Sequence, residues 1–238
     1  MNRKFDEQIA IQRQYYSDTA ADYNNLHMDE CGEHYFALTF LEAIIDFYGI
    51  ESVLDIGAGT GRVALHLKEK KPGLKIVSVE PVSALRQIGH DAGLSEEELL
   101  DGDATALAFA NNEFDLVCEF GVLHHIPTPE RAVSEMLRVG KKGVFISDSN
   151  NFGQGSYLSR SLKQVLNALR LWPLANFIKT KGKGYTIFEG DGLAYSYSVY
   201  SDYDLIKKAC SRVHVLNTKD GAINPYRTAS HVALLGIK

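Results

Sequence analysis

Cysteine is scarce in this sequence: Cys31, Cys118 and Cys210 are the only three in 238 residues, odd in number and far apart. That excludes a disulfide framework and a zinc site built on paired cysteines. No apolar run approaches the roughly 18 residues of a membrane span. The opening MNRKFDEQIAIQRQYY reaches charged residues at once and builds no apolar core of a signal peptide. A cytoplasmic, reducing compartment is therefore expected. Basic runs are missing too, and 25 Lys+Arg against 30 Asp+Glu leave a net charge of −5. A duplex-binding protein carries a basic face to neutralise phosphates, so nucleic acid is not an expected partner. There is no internal repeat and no low-complexity segment. What remains, at 45% hydrophobic and 23% charged residues, has globular composition and length for one generous domain or two small ones.

From about Glu51 to Ser149, short β-branched runs alternate with helical patterns. Val53–Ile56 reads as a strand, followed by a glycine turn and a helix over Arg62–Lys71 that Pro72-Gly73 stops. Lys75–Val79 is a second strand, and a weaker third runs into Gly102-Asp103 behind the solvated acidic run Glu96–Glu98. Phe114–Glu119 is apolar enough to be buried on both faces, Glu130–Arg138 suits a helix, and Gly143–Ser147 is the next strand. Strict alternation of strand and helix predicts right-handed crossovers and a doubly wound α/β domain. After a helix at Tyr203–Cys210, Val213–Leu216 and Val232–Ile237 are joined by a turn-rich loop, which predicts an antiparallel pair closing the sheet.

The turn VLDIGAGTGR, residues 53–62, sets Gly57, Gly59 and Gly61 between a buried strand and a helix. Glycine there permits positive φ and a close approach of backbone N–H groups to a ligand at the helix N-terminus. A dinucleotide fingerprint wants a small residue three places after the second glycine, where this chain has Arg62. A nicotinamide oxidoreductase is disfavoured accordingly. Glu80, followed by Pro81, ends the second strand about 20 residues beyond the turn, where a carboxylate can accept both ribose hydroxyls. Asp103 follows the third strand, where it can accept from an adenine amine, and Asp55 adds a further acid near the turn. Such a cluster repels a diphosphate and favours a cationic nucleoside without phosphate.

With these residues in order, the sequence resembles the class I S-adenosylmethionine-dependent methyltransferases, particularly the small-molecule enzymes of ubiquinone and menaquinone biosynthesis. The glycine motif, Glu80, Gly102-Asp103-Ala104, FDLVCEFGVLHHI at 114–126 and GVFISDS at 143–149 carry the resemblance over about the central hundred positions. It implies a Rossmann-like seven-stranded sheet, mostly parallel with an antiparallel last strand, plus helical lid insertions. The departure is Arg138–Gly143, which lacks the usual proline-glycine-glycine. The resemblance further implies S-adenosylmethionine as cofactor. Gly57, Ala58, Gly59 and Gly61 would lie against its methionine part, Glu80 and Pro81 at the ribose, Asp103 and Ala104 around the adenine. Glu119 or the backbone around Phe120 would face the methionine amine. Residues 15–24, YYSDTAADYN, resemble the segment that closes over the cofactor, so Tyr15, Tyr16 or Tyr23 would cover the sulfonium.

A methyl group on a sulfonium is already a potent electrophile, so the protein must align a nucleophile, exclude water and, for weak nucleophiles, remove a proton. His124 and His125 follow the fourth strand at the carboxyl edge of the sheet, and an ordinary imidazole titrates near ~6.5, suited to a hydroxyl or phenol proton. His124 is the favoured base, and Asp148 could orient a histidine or bind a substrate hydroxyl. Neither histidine reads as a metal ligand, since no second ligand stands at the right spacing on the same helical face. Substrate selection is expected from residues 151–203, which hold Tyr157, Tyr185, Tyr195, Tyr197, Tyr200 and Tyr203. Of these, Tyr185, Tyr195, Tyr197 and Tyr200 are the candidate substrate residues, offering flat apolar area with a polar tip. A helix over Leu158–Ile178, kinked at Trp172-Pro173, reads as a lid helix and not a membrane-surface helix, its cations being few. Asn224-Pro225-Tyr226 resembles part of an amine-methylating motif but lies before the last strand, so it reads as a turn.

The expected organisation is one domain: a helical cap at 1–50, a cofactor core at 51–149, a substrate lid at 150–203, and a closing helix and strands at 204–238. The expected activity is methyl transfer to a small metabolite, with a hydroxyl oxygen favoured over carbon or nitrogen. A non-catalytic S-adenosylmethionine binder is the competing class. The expected partner is the small-molecule substrate, with a homodimer left open.

Overall fold

A computed structural model describes residues 3–24, 32–219 and 224–238. Cys31 lies outside them. Seven strands form one sheet: β1 (Ser52–Ile56), β2 (Lys75–Val79), β3 (Leu99–Leu100), β4 (Phe114–Phe120), β5 (Gly140–Ser149), β8 (Arg212–Asn217) and β9 (His231–Ile237), in the order β3-β2-β1-β4-β5-β9-β8. A separate hairpin pairs β6 (Tyr185–Phe188) with β7 (Gly192–Tyr195). The five strands β1 to β5 run parallel; β9 is antiparallel to both β5 and β8. The antiparallel last strand expected from the loop between 216 and 232 is thus observed. The weak third strand reduces to Leu99–Leu100, paired with Ser78 and Val79, and ends before Gly102.

Both faces of the sheet are covered, which is why β4 is buried at every position. Val53, Leu116, Cys118 and Phe145 face one core, under α2 (Glu33–Tyr48) and α3 (Arg62–Lys70). Leu54, Ile56, Val117, Val144 and Ile146 face the other, under α5 (Pro129–Val139) and α8 (Tyr203–Ala209). The remaining helices are α1 (Arg3–Thr19), α4 (Ser83–Asp91), α6 (Tyr157–Ala168) and α7 (Trp172–Lys179). Strand alternation sends neighbouring residues to opposite cores, so a register slip would expose both.

One helix expectation is corrected. Leu158–Ile178 is not a single kinked helix but α6 and α7. Arg170 adopts φ 59°, its N–H donates to Asn167 O at 2.9 Å, and Leu171 N–H donates to Leu166 O at 2.8 Å. These bonds form a Schellman stop. Pro173 then sits in the first turn of α7, where its missing N–H costs nothing. The break precedes the proline instead of forming around it. Asn224-Pro225-Tyr226 is a turn as expected, with Asn224 Oδ1 accepting from Tyr226 N–H at 3.0 Å and Arg227 N–H at 2.9 Å.

Sheet order reverses between β1 and β4, so the loops after these strands diverge and leave a crevice at their carboxyl ends. Gly57 N–H donates to Val79 O at 2.8 Å after β1, and Gly121 N–H to Ser147 O at 2.8 Å after β4.

Candidate active site

A cavity of about 780 Å³ occupies this crevice, within the size range of small-molecule sites. Gly57, Glu80, Pro81, Asp103, Ala104 and Phe120 line it from the sheet edge, and Tyr16, Tyr23 and Arg13 from the N-terminal segment. His125 lines its far side. Gly57 carries φ 66°, and a Cβ there would stand 2.5 Å from a methyl of Val122. At Gly59 a Cβ would meet the Tyr23 hydroxyl at 2.4 Å, so the missing side chain is what lets that phenol reach the turn. A Cβ on Gly61 would strike Leu94, which gives that glycine a packing reason.

Glu80 is buried, and its two carboxylate oxygens accept Gly59 N–H at 3.0 Å and Val82 N–H at 2.9 Å. Burial pushes its pKa up to about 7, against those bonds and the Arg86 and Arg13 cations. Asp103 is half exposed; one oxygen accepts from Thr105, and the other faces Arg13 Nη2 at 3.3 Å. Asp55 and Ala58 line a small adjoining space with Tyr23 and Arg62 rather than the main cavity. Burial raises Asp55 to about 7 as well. Glu119 lines neither space: it is fully buried, Oε2 accepts Val122 N–H at 2.8 Å, and burial holds its pKa well above the usual carboxyl range.

The histidines divide. His124 Nδ1 lies 2.7 Å from Asp148 Oδ1, and its backbone N–H donates to Asp148 Oδ2 at 3.2 Å. Burial disfavours the His124 cation, but the carboxylates of Asp148 and Asp191 outweigh it and hold the pKa at about 10. The two carboxylates thus favour the protonated form of His124, unlike the ordinary imidazole expected of it. His125 is the reverse case: burial and the neighbouring His124 cation lower its pKa and keep it neutral. Its Nδ1 lies 2.7 Å from Leu193 O and 3.1 Å from Gln12 Nε2, and its Nε2 lies 3.0 Å from the Tyr16 hydroxyl. Lining the main cavity falls to His125. His124 lines a second cavity of about 260 Å³ with Tyr185, Tyr195 and Tyr197.

Asp191 is the residue that sequence reasoning missed. Its carboxylate stands 3.4 Å from His124 Nε2 and 3.3 Å from His125 Nε2, joining the two histidines across the gap between the cavities. Ligand-type atoms of these three residues lie within 4.8 Å of one another, so the expectation of no partner at metal-ligand spacing does not hold. The donor set is nevertheless occupied, since the His124 cation sits between two carboxylates and Tyr16 bonds His125 Nε2. We assign no ion there. The signal available in the sequence was Gly190-Asp191-Gly192, a hairpin tip between apolar strands.

α1 holds that tip in place. Tyr195 hydroxyl donates to Gln8 Oε1 at 2.8 Å, Gln12 Nε2 donates to Asp191 O at 3.1 Å, and Gly190 N–H donates to Tyr15 Oη at 2.7 Å. Tyr15 thus engages the hairpin and does not line the main cavity, whereas Tyr16 and Tyr23 do. Tyr200 lines neither cavity; its ring packs edge-on against Tyr226 at 5.1 Å. Tyr197 is buried, with its hydroxyl donating to Asp202 at 3.0 Å.

The protein family described as Methyltransferase domain matches residues 54–147. A demethylmenaquinone methyltransferase of Renibacterium salmoninarum is 36% identical over 126 residues, 49% of this chain and 52% of that protein. Norajmaline N-methyltransferase of Rauvolfia serpentina is 33% identical over 99 residues, 40% of this chain and 34% of that protein. The chain thus spans about half, or less, of these relatives' lengths. A solved S-adenosylmethionine-dependent methyltransferase from Thermotoga maritima shares the fold with a TM-score of 0.58 at 23% identity, covering 94% of this chain and 98% of that one. Residues 54–147 thus match a methyltransferase domain, and the sheet order and glycine turn around them are those of the Rossmann-like fold shared with the solved methyltransferase.

Proposed function

We propose that this chain transfers a methyl group from S-adenosylmethionine to a hydroxyl oxygen of a small metabolite, with His125 receiving the proton. The carrying observation is one cavity with a buried carboxylate, Glu80, at one side and at the other a histidine, His125, whose pKa is lowered and whose Nε2 meets the Tyr16 hydroxyl, a group that an acceptor hydroxyl could replace. The cavity fits the cofactor. Glu80 presents buried carboxylate oxygens suited to ribose hydroxyls, Pro81, Leu85 and Ala104 supply apolar walls for a base, and Asp103 offers an acceptor beside them. The bound cofactor supplies the activated methyl. The chain's own residues bind, orient and exclude water.

Tyr16 and Tyr23 would cover the positive sulfur with aromatic faces, and burial keeps both phenols neutral. An acceptor hydroxyl would take the place of the Tyr16 hydroxyl at His125 Nε2 and pass its proton there as the methyl arrives. Asp191 would steady the resulting cation, and the His124–Asp148 pair would fix the loop that carries both histidines. In this reading residues 1–50 cap the cofactor, and residues 150–203 cover the substrate and supply Tyr185, Tyr195 and Tyr197. Carbon or nitrogen transfer is the second reading, favoured by the N-methyltransferase relative. Incubation with methyl-labelled cofactor and a cell metabolite extract, followed by mass spectrometry, tests the proposal: a labelled methyl ether supports it, a labelled amine or carbon shifts the acceptor, and no labelled product overturns it.

A further inference from the structure

The stretch from the end of β5 through β6 combines bare apolar stripes with charge of a single sign. On α6, Leu158, Leu162, Val165 and Leu169 recur at helical spacing on one face and are 78%, 60%, 55% and 62% exposed. On α7, Leu174, Phe177 and Ile178 are likewise exposed, and no residue of either helix is buried. Ile187 and Phe188 of β6 extend the apolar surface. A lid closing on its own site would bury such a stripe; here it points outward, beyond what single exposed side chains explain. From Ser149 to Phe188 there is no Asp or Glu, while Arg160, Lys163, Arg170, Lys179, Lys181 and Lys183 are all present, in a chain whose net charge is −5. Arg170, Lys179, Lys181 and Lys183 are exposed. Within α6 and α7 themselves the cations are Arg160, Lys163 and Lys179, and no acid offsets them.

We propose that α6, α7 and β6 form a membrane-surface site that binds the headgroup region of anionic phospholipid. Apolar side chains enter the acyl boundary while flanking cations meet lipid phosphate, the arrangement of interfacial amphipathic helices. Charge decides against a second copy as the occupant, because a two-fold interface would set the same cations against each other. Trp172 ties the pair to the body of the protein: its ring packs on Phe152 at 5.8 Å, and Nε1–H donates to Ser196 Oγ at 2.9 Å. Lys179, Tyr185 and Phe188 of these elements also line the 260 Å³ cavity that reaches His124. If the methyl transfer proposed above holds, an amphiphilic acceptor would enter there from the bilayer; the lipid site itself does not depend on it.

The test is co-sedimentation of the full chain with phosphatidylcholine vesicles, with and without phosphatidylglycerol. Binding about tenfold or more stronger to the anionic vesicles, and weakened by added salt, is expected. Leu162→Glu with Ile178→Glu, and separately Arg170→Glu with Lys181→Glu, should each abolish it, with circular dichroism and cofactor affinity unchanged. Failure to sediment with either vesicle, or equal binding to both, overturns the proposal. So does a dimer in sedimentation velocity that the Leu162 and Ile178 substitutions dissolve. Cofactor binding with no methyl transfer would sink the enzymatic reading alone.

Discussion

His124 Nδ1 stands 2.7 Å from Asp148 Oδ1, and Asp148 is wholly buried at the end of β5. The pair joins the loop after β4 to its neighbouring strand. The carboxylates raise the folded pKa of His124 to about 10, and the His124 cation lowers that of Asp148. The contribution of His124 to stability is therefore complete below its unfolded pKa near ~6.5 and is lost as pH rises toward the folded value. That of Asp148 is present above ~3.9 and is lost as pH falls. Thermal unfolding should accordingly show a midpoint that declines from neutral to alkaline pH, and a His124→Gln variant should flatten that decline. Asp148→Asn should cost about 3 kcal/mol near neutral pH, measurable by denaturant unfolding, because it leaves a buried cation with one carboxylate fewer.

Cofactor affinity should depend on pH through Glu80, whose pKa burial raises to about 7. Ribose hydroxyls donate to the ionised form, so binding below that value must first expel a proton. Affinity for S-adenosylhomocysteine should fall up to about tenfold per unit as pH drops below 7. Calorimetry on Glu80→Gln checks this: weaker binding with the pH dependence reduced is expected, and an unchanged pH profile would assign it to another group.

Replacing His125 should separate chemistry from binding. His125→Ala is expected to lower turnover by about 10²- to 10⁴-fold while cofactor affinity stays within a few-fold. Single-turnover kinetics with the identified acceptor would measure it. A wild-type rate would return His125 to a packing role against Leu193 and Tyr16.

Two glycines distinguish steric need from backbone need. Gly57 and Gly49 both have positive φ, 66° and 58°, but a Cβ at Gly57 meets Val122 at 2.5 Å, whereas nothing lies within 4 Å at Gly49. Gly49→Ala should cost about 1–2 kcal/mol of backbone strain and leave cofactor binding intact. Gly57→Ala should cost more in denaturant melts and weaken cofactor binding, because the turn itself has to move.

The strand–helix alternation, the antiparallel ending and the gathering of Gly57, Glu80, Pro81, Asp103 and Ala104 at one sheet edge were all legible in the sequence. Each depends on local order along the chain: a strand followed by a turn always delivers that turn to the carboxyl edge of a parallel sheet. Histidine chemistry was not legible, since adjacent residues in one short helical turn received opposite protonation from groups remote in sequence. Asp191, carried in on a hairpin clasped by Gln12 and Tyr15, reaches both rings only because α1 crosses the same edge. Nor does periodicity reveal whether a stripe is covered. Leu158, Leu162, Val165 and Leu169 repeat as a buried helix face would, and only the tertiary packing leaves them bare. The sequence by itself determined the sheet and which turn residues meet at its carboxyl edge, because those follow from neighbours along the chain. Tertiary structure decided which histidine is neutral, where Asp191 lies and which apolar face meets the outside, because burial and charge are fixed by neighbours in space.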